Sequence, residues 1–287
     1  MKPAQFRRDG FGVVRGLIGI DTLDRLAADI GSVFGRRARD LGLDTPDPVD
    51  QPGLSALLIR LFGHDRQAYI AAARQTQHLA SVHRLGLAPE LMQVVAELGL
   101  TVPALSTRPV IHFMADQLKI DGGYHKTPGH QDWRSVQGSL DGITIWLPLF
   151  DVGVHDYPLE VIRASHRGGL LPSVEDPFGH RIADGQVDET DFSPVLVRRG
   201  DVIFFSGFLV HRTGNAGGGR VRIALSYRYN NAAEPSFVVR NYPSPYIYRP
   251  DMRLLQENFP TAADVSRVFA ASAPEDAVEE IGIDPAA

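Results

Sequence analysis

Gly200, Asp201, Val202, Ile203, Phe204, Phe205 and, a few positions on, Val210, His211, Arg212, Thr213, Gly214, Asn215 lead through Gly217, Gly218, Gly219 into Arg220, Val221, Arg222, Ile223, Ala224, Leu225, Ser226, Tyr227, Arg228, Tyr229. A glycine turn feeds an apolar strand that runs on to a histidine, and a glycine-rich turn then hands the chain to a second strand. Side chains alternate along a strand. Val221, Ile223, Leu225, Tyr227 and Tyr229 therefore share one face, and Arg220, Arg222, Ala224, Ser226 and Arg228 share the other. Arginines on one side suit a solvated outer strand or the wall of a polar-lined cavity, and the pattern alone leaves both open.

Working outward, Val110 to Met114 and Ile143 to Leu149 are further short β-rich runs divided by glycine and proline clusters. Before them lie helical patterns. Residues 21–36 put Leu23, Leu26, Ala27, Ile30, Val33 and Phe34 on one face, with Asp21 expected as N-cap and Asp24 in the first turn. Similar patterns predict helices at 52–62, 65–84 and 89–98, the last opened by Pro89. Strands that follow the helices as a block imply an α+β, mainly β fold: an antiparallel double sheet, sandwich or barrel, backed by N-terminal helices. We expect a single domain over 1–287, with 1–105 as helical support and 106–232 as the β core. The polar, turn-rich residues 171–193 read as a surface insertion, and 233–287 as a C-terminal extension. A tail helix is expected from about 261, through Ala262, Val265, Val268 and Phe269.

Bulk properties exclude more than they identify. The formal net charge is -5 and the basic residues are scattered, so no phosphate-neutralising stripe for nucleic acid is expected. No signal-length or membrane-length apolar run appears, which makes the cytoplasm the default compartment. The chain has 0 cysteines, so a metal would have to be held by imidazole and carboxylate. The expected partner is a small molecule.

Thr127, Pro128, Gly129, His130, Gln131, Asp132, Trp133 supplies such a pair. In a strand, His130 and Asp132 would project from one face toward one ion. With 10 histidines in the chain, a lone H-x-D is expected about once by chance. His211 is the proposed third ligand. Two histidines and a carboxylate form a facial triad that leaves positions open on iron(II). His112, His125, His155, His166 and His180 read first as turn caps or supporting hydrogen-bond partners. His125 and Lys126 are the best substrate-facing candidates, and Tyr242 to Tyr248 read as core packing before a pocket rim.

Taken in order, these segments resemble the phytanoyl-CoA dioxygenase family of iron(II)/2-oxoglutarate oxygenases. The resemblance runs through Phe6, Arg8, Asp9, Gly10, Phe11, then the His130 and Asp132 segment, Trp146 to Leu149, Leu159 to Arg167, and Gly200 through Arg222. It implies a double-stranded β-helix (jelly-roll, cupin-like) core. It also implies iron(II) held by His130, Asp132 and His211 as the catalytic centre, with 2-oxoglutarate and O2 as co-substrates. Arg222 would bind the distal carboxylate of 2-oxoglutarate, with Arg220 as a rival. Thr213 and Trp146 match co-substrate pocket positions, and Gln117 and Lys119 sit where a strand would add polar contacts. The chain departs from the family pattern at Gly129, at His155 to Pro158 and at Arg163, Ala164. Because Asp132 is kept, the resemblance implies hydroxylation or a similar oxidation of a small metabolite in preference to halogenation. Two other readings use the same barrel: a cupin-like isomerase or ring-cleaving dioxygenase without 2-oxoglutarate, and a non-catalytic ligand-binding or interaction protein.

Overall fold

The computed structural model describes residues 3–44, 50–120, 126–245, 261, 263 and 264. Contacts divide the chain into a unit Met1–Tyr246 and a unit Ile247–Ala287. In the second unit, the Thr261 amide donates to the Asp264 carboxylate at 3.0 Å. The expected tail helix through Ala262, Val265, Val268 and Phe269 lies outside the described residues, as do His125, Tyr246, Ile247 and Tyr248.

The first unit begins with α1 (Pro3–Asp9), β1 (Phe11–Val14), α2 (Ile20–Asp40), α3 (Gln51–His64), α4 (Arg66–Thr76), α5 (Ala80–Gly86) and α6 (Pro89–Glu97). The predicted stripe of α2 buries Leu23, Leu26, Ile30 and Phe34. Its N-cap is Gly19, however, and Asp21 sits inside the first turn, where its charge meets the positive end of the helix. Asp50 and Asp65 cap α3 and α4 by accepting from the Gly53 amide at 2.8 Å and the Ala68 amide at 2.9 Å. The helix expected over 65–84 is two helices. Thr76 is buried and its hydroxyl donates back to the Ala73 carbonyl at 2.9 Å. The next three amides bond three residues back, so the chain tightens and turns before α5.

The β half comprises β2 (Pro103–Leu105), β3 (Val110–Met114), the short α7 (Trp133–Val136), β4 (Ile143–Pro148), β5 (Leu159–Val161), β6 (Ser173–Asp176) and β7 (Gly179–Ile182). It continues with β8 (Ser193–Val195), β9 (Val202–Ser206), β10 (His211–Thr213), β11 (Arg222–Asn231) and α8 (Pro235–Val239). All pairings are antiparallel. The larger sheet runs β1-β9-β4-β11, with β2 and β3 both beside β11, and the smaller runs β10-β5-β8.

The larger sheet is covered on both faces. Ile145, Phe204, Ile223, Leu225 and Tyr227 pack with the helices, whereas Trp146, Ile203, Phe205 and Ala224 pack with Leu159, Val161 and Val195 of the smaller sheet. That is why β9 reads as an unbroken apolar run. It also decides the face of β11 that carries Arg222, Ser226 and Arg228: it lies inside, and Arg222 and Ser226 are buried. The insertion at 171–193 is the hairpin β6-β7 plus a 3-10 turn at Glu189–Asp191. It is not purely surface, because the Ile182 amide bonds the Gly129 carbonyl at 2.8 Å.

Two local features carry predictions. Gly200 turns into β9 with φ +91, and next to it the Asp201 carboxylate accepts from Arg15 at 2.6 Å, the Gly16 amide at 2.9 Å and the Arg198 amide at 2.8 Å. Burial alone would raise the Asp201 carboxyl, but the Arg198 amide, Arg15 and the Gly16 amide hold it below the usual range. The stabilisation is therefore complete above the unfolded carboxyl pKa and is lost as pH falls through the lower folded value. Asp201→Ala is expected to cost about 2–3 kcal/mol at neutral pH, with the gap to the parent closing in acid, as measured by urea unfolding across pH. Ala164 holds φ +62. Ala164→Gly relieves that left-handed strain, and an increase of about 0.5–1 kcal/mol in the same assay is expected.

Candidate metal centre and its cavity

Backbone pairing brings the two histidines together. The His130 amide donates to the His211 carbonyl at 3.0 Å, and the His211 amide donates back to the His130 carbonyl at 3.1 Å. The imidazole centroids are 4.1 Å apart. Asp132 does not continue a strand, as had been expected. The Trp133 amide is drawn to the Gly207 carbonyl at 2.9 Å, and the chain bends there into α7, with Asp132 at its N-terminus. The carboxylate reaches the histidines from a turn.

Each imidazole is held by its Nδ1, His130 to the Pro128 carbonyl at 2.8 Å and His211 to the Leu209 carbonyl at 2.9 Å. A carbonyl only accepts, so each Nδ1 carries a proton, and Nε2 is the nitrogen turned toward Asp132. The Nε2 atoms of His130 and His211 lie 3.5 and 3.9 Å from Asp132 Oδ1. One ligand atom from each residue falls within 4.8 Å of the others, and all three residues are buried. Burial pushes the His211 imidazole down to about 3, with His130 adding to the effect. Burial would raise the Asp132 carboxyl, but the Arg228 guanidinium and the two imidazoles hold it well below the carboxylate range. Neutral His211 and ionised Asp132 are in the forms that bind a cation.

Asp132 is itself anchored. Arg228 donates Nη2 to Oδ1 at 2.9 Å and Nε to Oδ2 at 3.0 Å, and Thr144 Oγ1 donates to Oδ2 at 2.7 Å. Oδ1 faces the histidines, and Oδ2 is fully engaged.

The three residues line a cavity of about 360 Å³ between the sheets. Arg222 lines it too, with only 4% of its surface exposed. Its Nη1 donates to the Tyr157 carbonyl at 3.0 Å and its Cζ lies 5.5 Å from the Trp146 ring centroid. It meets no carboxylate among the described residues, and its Nε has no partner. Burial pushes this guanidinium down to about 10.

The sequence model for phytanoyl-CoA dioxygenase matches residues 6–224. The chain belongs to the phytanoyl-CoA dioxygenase family. No curated protein matches the sequence. Among solved structures, this member of the phytanoyl-CoA dioxygenase family is similar to the non-heme monooxygenase ThoJ in its apo form, at 18% identity and a TM-score of 0.55, over 80% of this chain and 77% of that one. It is also similar to the epimerase SnoN in complex with Fe3+, alpha ketoglutarate and nogalamycin RO, at 18% identity and a TM-score of 0.53, over 90% and 96% of the two chains. These likenesses concern the fold.

Of the remaining expected positions, Thr213 and Trp146 line the cavity with Arg222. Arg220, the rival, pairs with Asp156 at 2.9 Å and lies outside the lining. Gln117 and Lys119 are not in a strand. They occupy a 3-10 turn at Asp116–Leu118 and the position after it, are exposed, and do not line the cavity. The strand ends at Met114, where pairing with Arg222 stops. From that strand it is His112 that faces inward, 3.1 Å from the Ser226 hydroxyl. Loss of water, with Arg222 and Arg228 nearby, pushes His112 down to about 3. His166 bonds the Arg7 carbonyl at 3.0 Å, and neither it, His155 nor His180 lines the cavity. Lys126 bonds the Asn215 carbonyl at 2.9 Å and sits over the Tyr157 ring. Tyr242 is half exposed and packs edge-on against Phe237.

Several contributors were not anticipated. Phe178, from the β6-β7 hairpin, packs edge-on against His130 at 4.8 Å. Nothing local marks it, because only the hairpin's return across Gly129 brings it there. A Cβ at Gly129 would come 3.3 Å from the Phe192 ring, so the missing side chain admits the insertion. Arg228 and Ser226 did carry a signal: strand alternation places both on the face of Arg222.

Among the described residues no helix is long and apolar enough to cross a membrane.

Proposed function

We propose that this protein is an iron(II)/2-oxoglutarate-dependent dioxygenase that oxidises, most simply by hydroxylation, an unactivated C–H bond of a small metabolite. One observation carries the reading. A buried guanidinium without a carboxylate partner shares a small cavity with a His-Asp-His cluster, and a buried charge is stable only when an opposite charge answers it. A diacid that chelates the metal at one end and meets Arg222 at the other supplies that charge, in the two-bond geometry a guanidinium fork offers. The finer fold assignment belongs to the same reading: the two facing sheets form a double-stranded β-helix, with the site between them.

The donor set fits iron(II), since two imidazoles and one carboxylate leave positions for other ligands. When bound, iron with 2-oxoglutarate and O2 supplies the oxidising power, with release of succinate and CO2. The chain's own residues do the rest. His130 and His211 present fixed Nε2 atoms, and Arg228 with Thr144 fixes the orientation of Asp132. Trp146, Leu159 and Thr213 wall the Arg222 end, while Phe178 and Phe205 restrict water beside the histidines.

The test is anaerobic addition of iron(II) and then 2-oxoglutarate, followed in the visible region, and afterwards admission of O2 with succinate assayed. The charge-transfer band of an iron(II) 2-oxoglutarate chelate and succinate above the protein-free background are expected. Metal binding without any effect of 2-oxoglutarate would favour the cupin-like reading and remove this one.

A further inference from the structure

Among the described residues, the charged side chains lining the cavity are one carboxylate, Asp132, and the guanidiniums of Arg108, Arg212, Arg222 and Arg228. Three of the four guanidiniums are accounted for. Arg228 is committed to Asp132, and Arg212 to Glu160 at 2.7 Å and to Glu189. Arg222 is enclosed and assigned above to the diacid. Arg108 is exposed and makes no hydrogen bond or ion pair among the described residues.

Position separates Arg108 from Arg222. From Arg222 to Arg228 along β11 is about 20 Å at the rise of a strand. Arg108 lies in the connection between β2 and β3, which is pinned at the far end: the Ser106 amide bonds the Arg228 carbonyl at 2.9 Å, and Val110 pairs with Ser226. The cavity thus has an Arg222 end and an Arg228 end, with Asp132 anchored at the latter. If the first takes 2-oxoglutarate, the second is left for the molecule that is oxidised. Seating 2-oxoglutarate on a divalent ion adds no net charge, so the positive excess of the lining persists.

We propose that Arg108 receives an anionic group, a carboxylate or phosphate, of the substrate, and so selects small anionic molecules. This rests on the iron(II)/2-oxoglutarate reading of the same site. The anion meets the guanidinium at the mouth, where it keeps part of its hydration. The carbon skeleton extends inward past Val110 toward Phe178 and Phe205, which offer apolar contact beside the metal ligands. A substrate of the same shape without the charge leaves Arg108 without its partner and forfeits a charge-assisted hydrogen bond.

The test is saturation-transfer NMR with benzoate, phenyl phosphate and benzamide as probes, on the full chain carrying diamagnetic zinc(II) and saturating 2-oxoglutarate. Benzoate, phenyl phosphate or both are expected to bind, which separates carboxylate from phosphate, and benzamide to bind about tenfold more weakly or less. Arg108→Glu should weaken the bound anion by about tenfold or more, Arg108→Ala by less, and both variants should keep the parent's affinity for 2-oxoglutarate. Equal binding of benzamide and the anions, absence of binding by either anion, or an undiminished anion signal in Arg108→Glu overturns the proposal. Calorimetric titrations of zinc and of 2-oxoglutarate report separately on the underlying reading. If they fail, the anion-to-amide comparison is still made on the unloaded protein and still decides the role of Arg108.

Discussion

Arg222→Met is expected to lower the affinity for 2-oxoglutarate by about a hundredfold or more, since it deletes one partner of a buried, hydrogen-bonded charge pair. In the parent, ligand at about a hundred times its dissociation constant should raise the melting temperature by roughly 5 to 10 °C, and in the variant that shift should vanish. The sign of the effect on the ligand-free protein is the sharper part. Arg222 is buried with its Nε unpartnered, and among the described residues only the Tyr157 carbonyl and the Trp146 ring compensate its desolvation. A methionine of similar length removes an uncompensated charge from between the sheets, so ligand-free Arg222→Met should be no less stable than the parent. Denaturant unfolding reads this directly. A loss of more than about 1 kcal/mol would mean that Arg222 serves the fold, and the cofactor reading would lose its main support.

Arg228→Met should have the opposite signature. Here the charge is answered: the guanidinium bonds both oxygens of a carboxylate that is 4% exposed. Removing it strands Asp132, and a loss of about 3–5 kcal/mol in the metal-free protein is expected. Manganese(II) affinity should fall about 10- to 100-fold, as when a partner that orients a metal ligand is deleted. Combining Arg228→Met with Asp132→Leu should recover much of the stability and none of the metal binding, which separates the cost of a stranded carboxylate from a general packing defect. Calorimetric titration of manganese beside unfolding curves of the two variants makes the comparison. Unchanged metal affinity in Arg228→Met would show that Thr144 alone suffices to orient Asp132.

Taken together, the two arginines show how much of this site was legible in the chain and how much was not. Strand alternation put Arg222 and Arg228 on one face of β11, but alternation is identical for a solvated face and a cavity wall. Only the smaller sheet, packed across Trp146, Ile203 and Ala224, decides that the face is enclosed. His130, Asp132 and His211 could be chosen as ligands from their chemistry and order. The turn that brings Asp132 round depends on a bond from Trp133 to Gly207, far along the chain, and a strand-period argument has no access to it. Gln117 and Lys119 failed for a related reason, since their strand stops where its partner does.

Local chemistry alone sufficed for the amphipathic face of α2, the block of strands after the helices, and the residue types able to hold a metal. These follow from periodicity and side-chain inventory, which act over a few residues. Which charges are answered and which are left waiting took the folded molecule to decide, as did Phe178 reaching His130 from a distant hairpin. Desolvation and pairing depend on neighbours from distant segments, and those neighbours exist only once the two sheets have closed on each other.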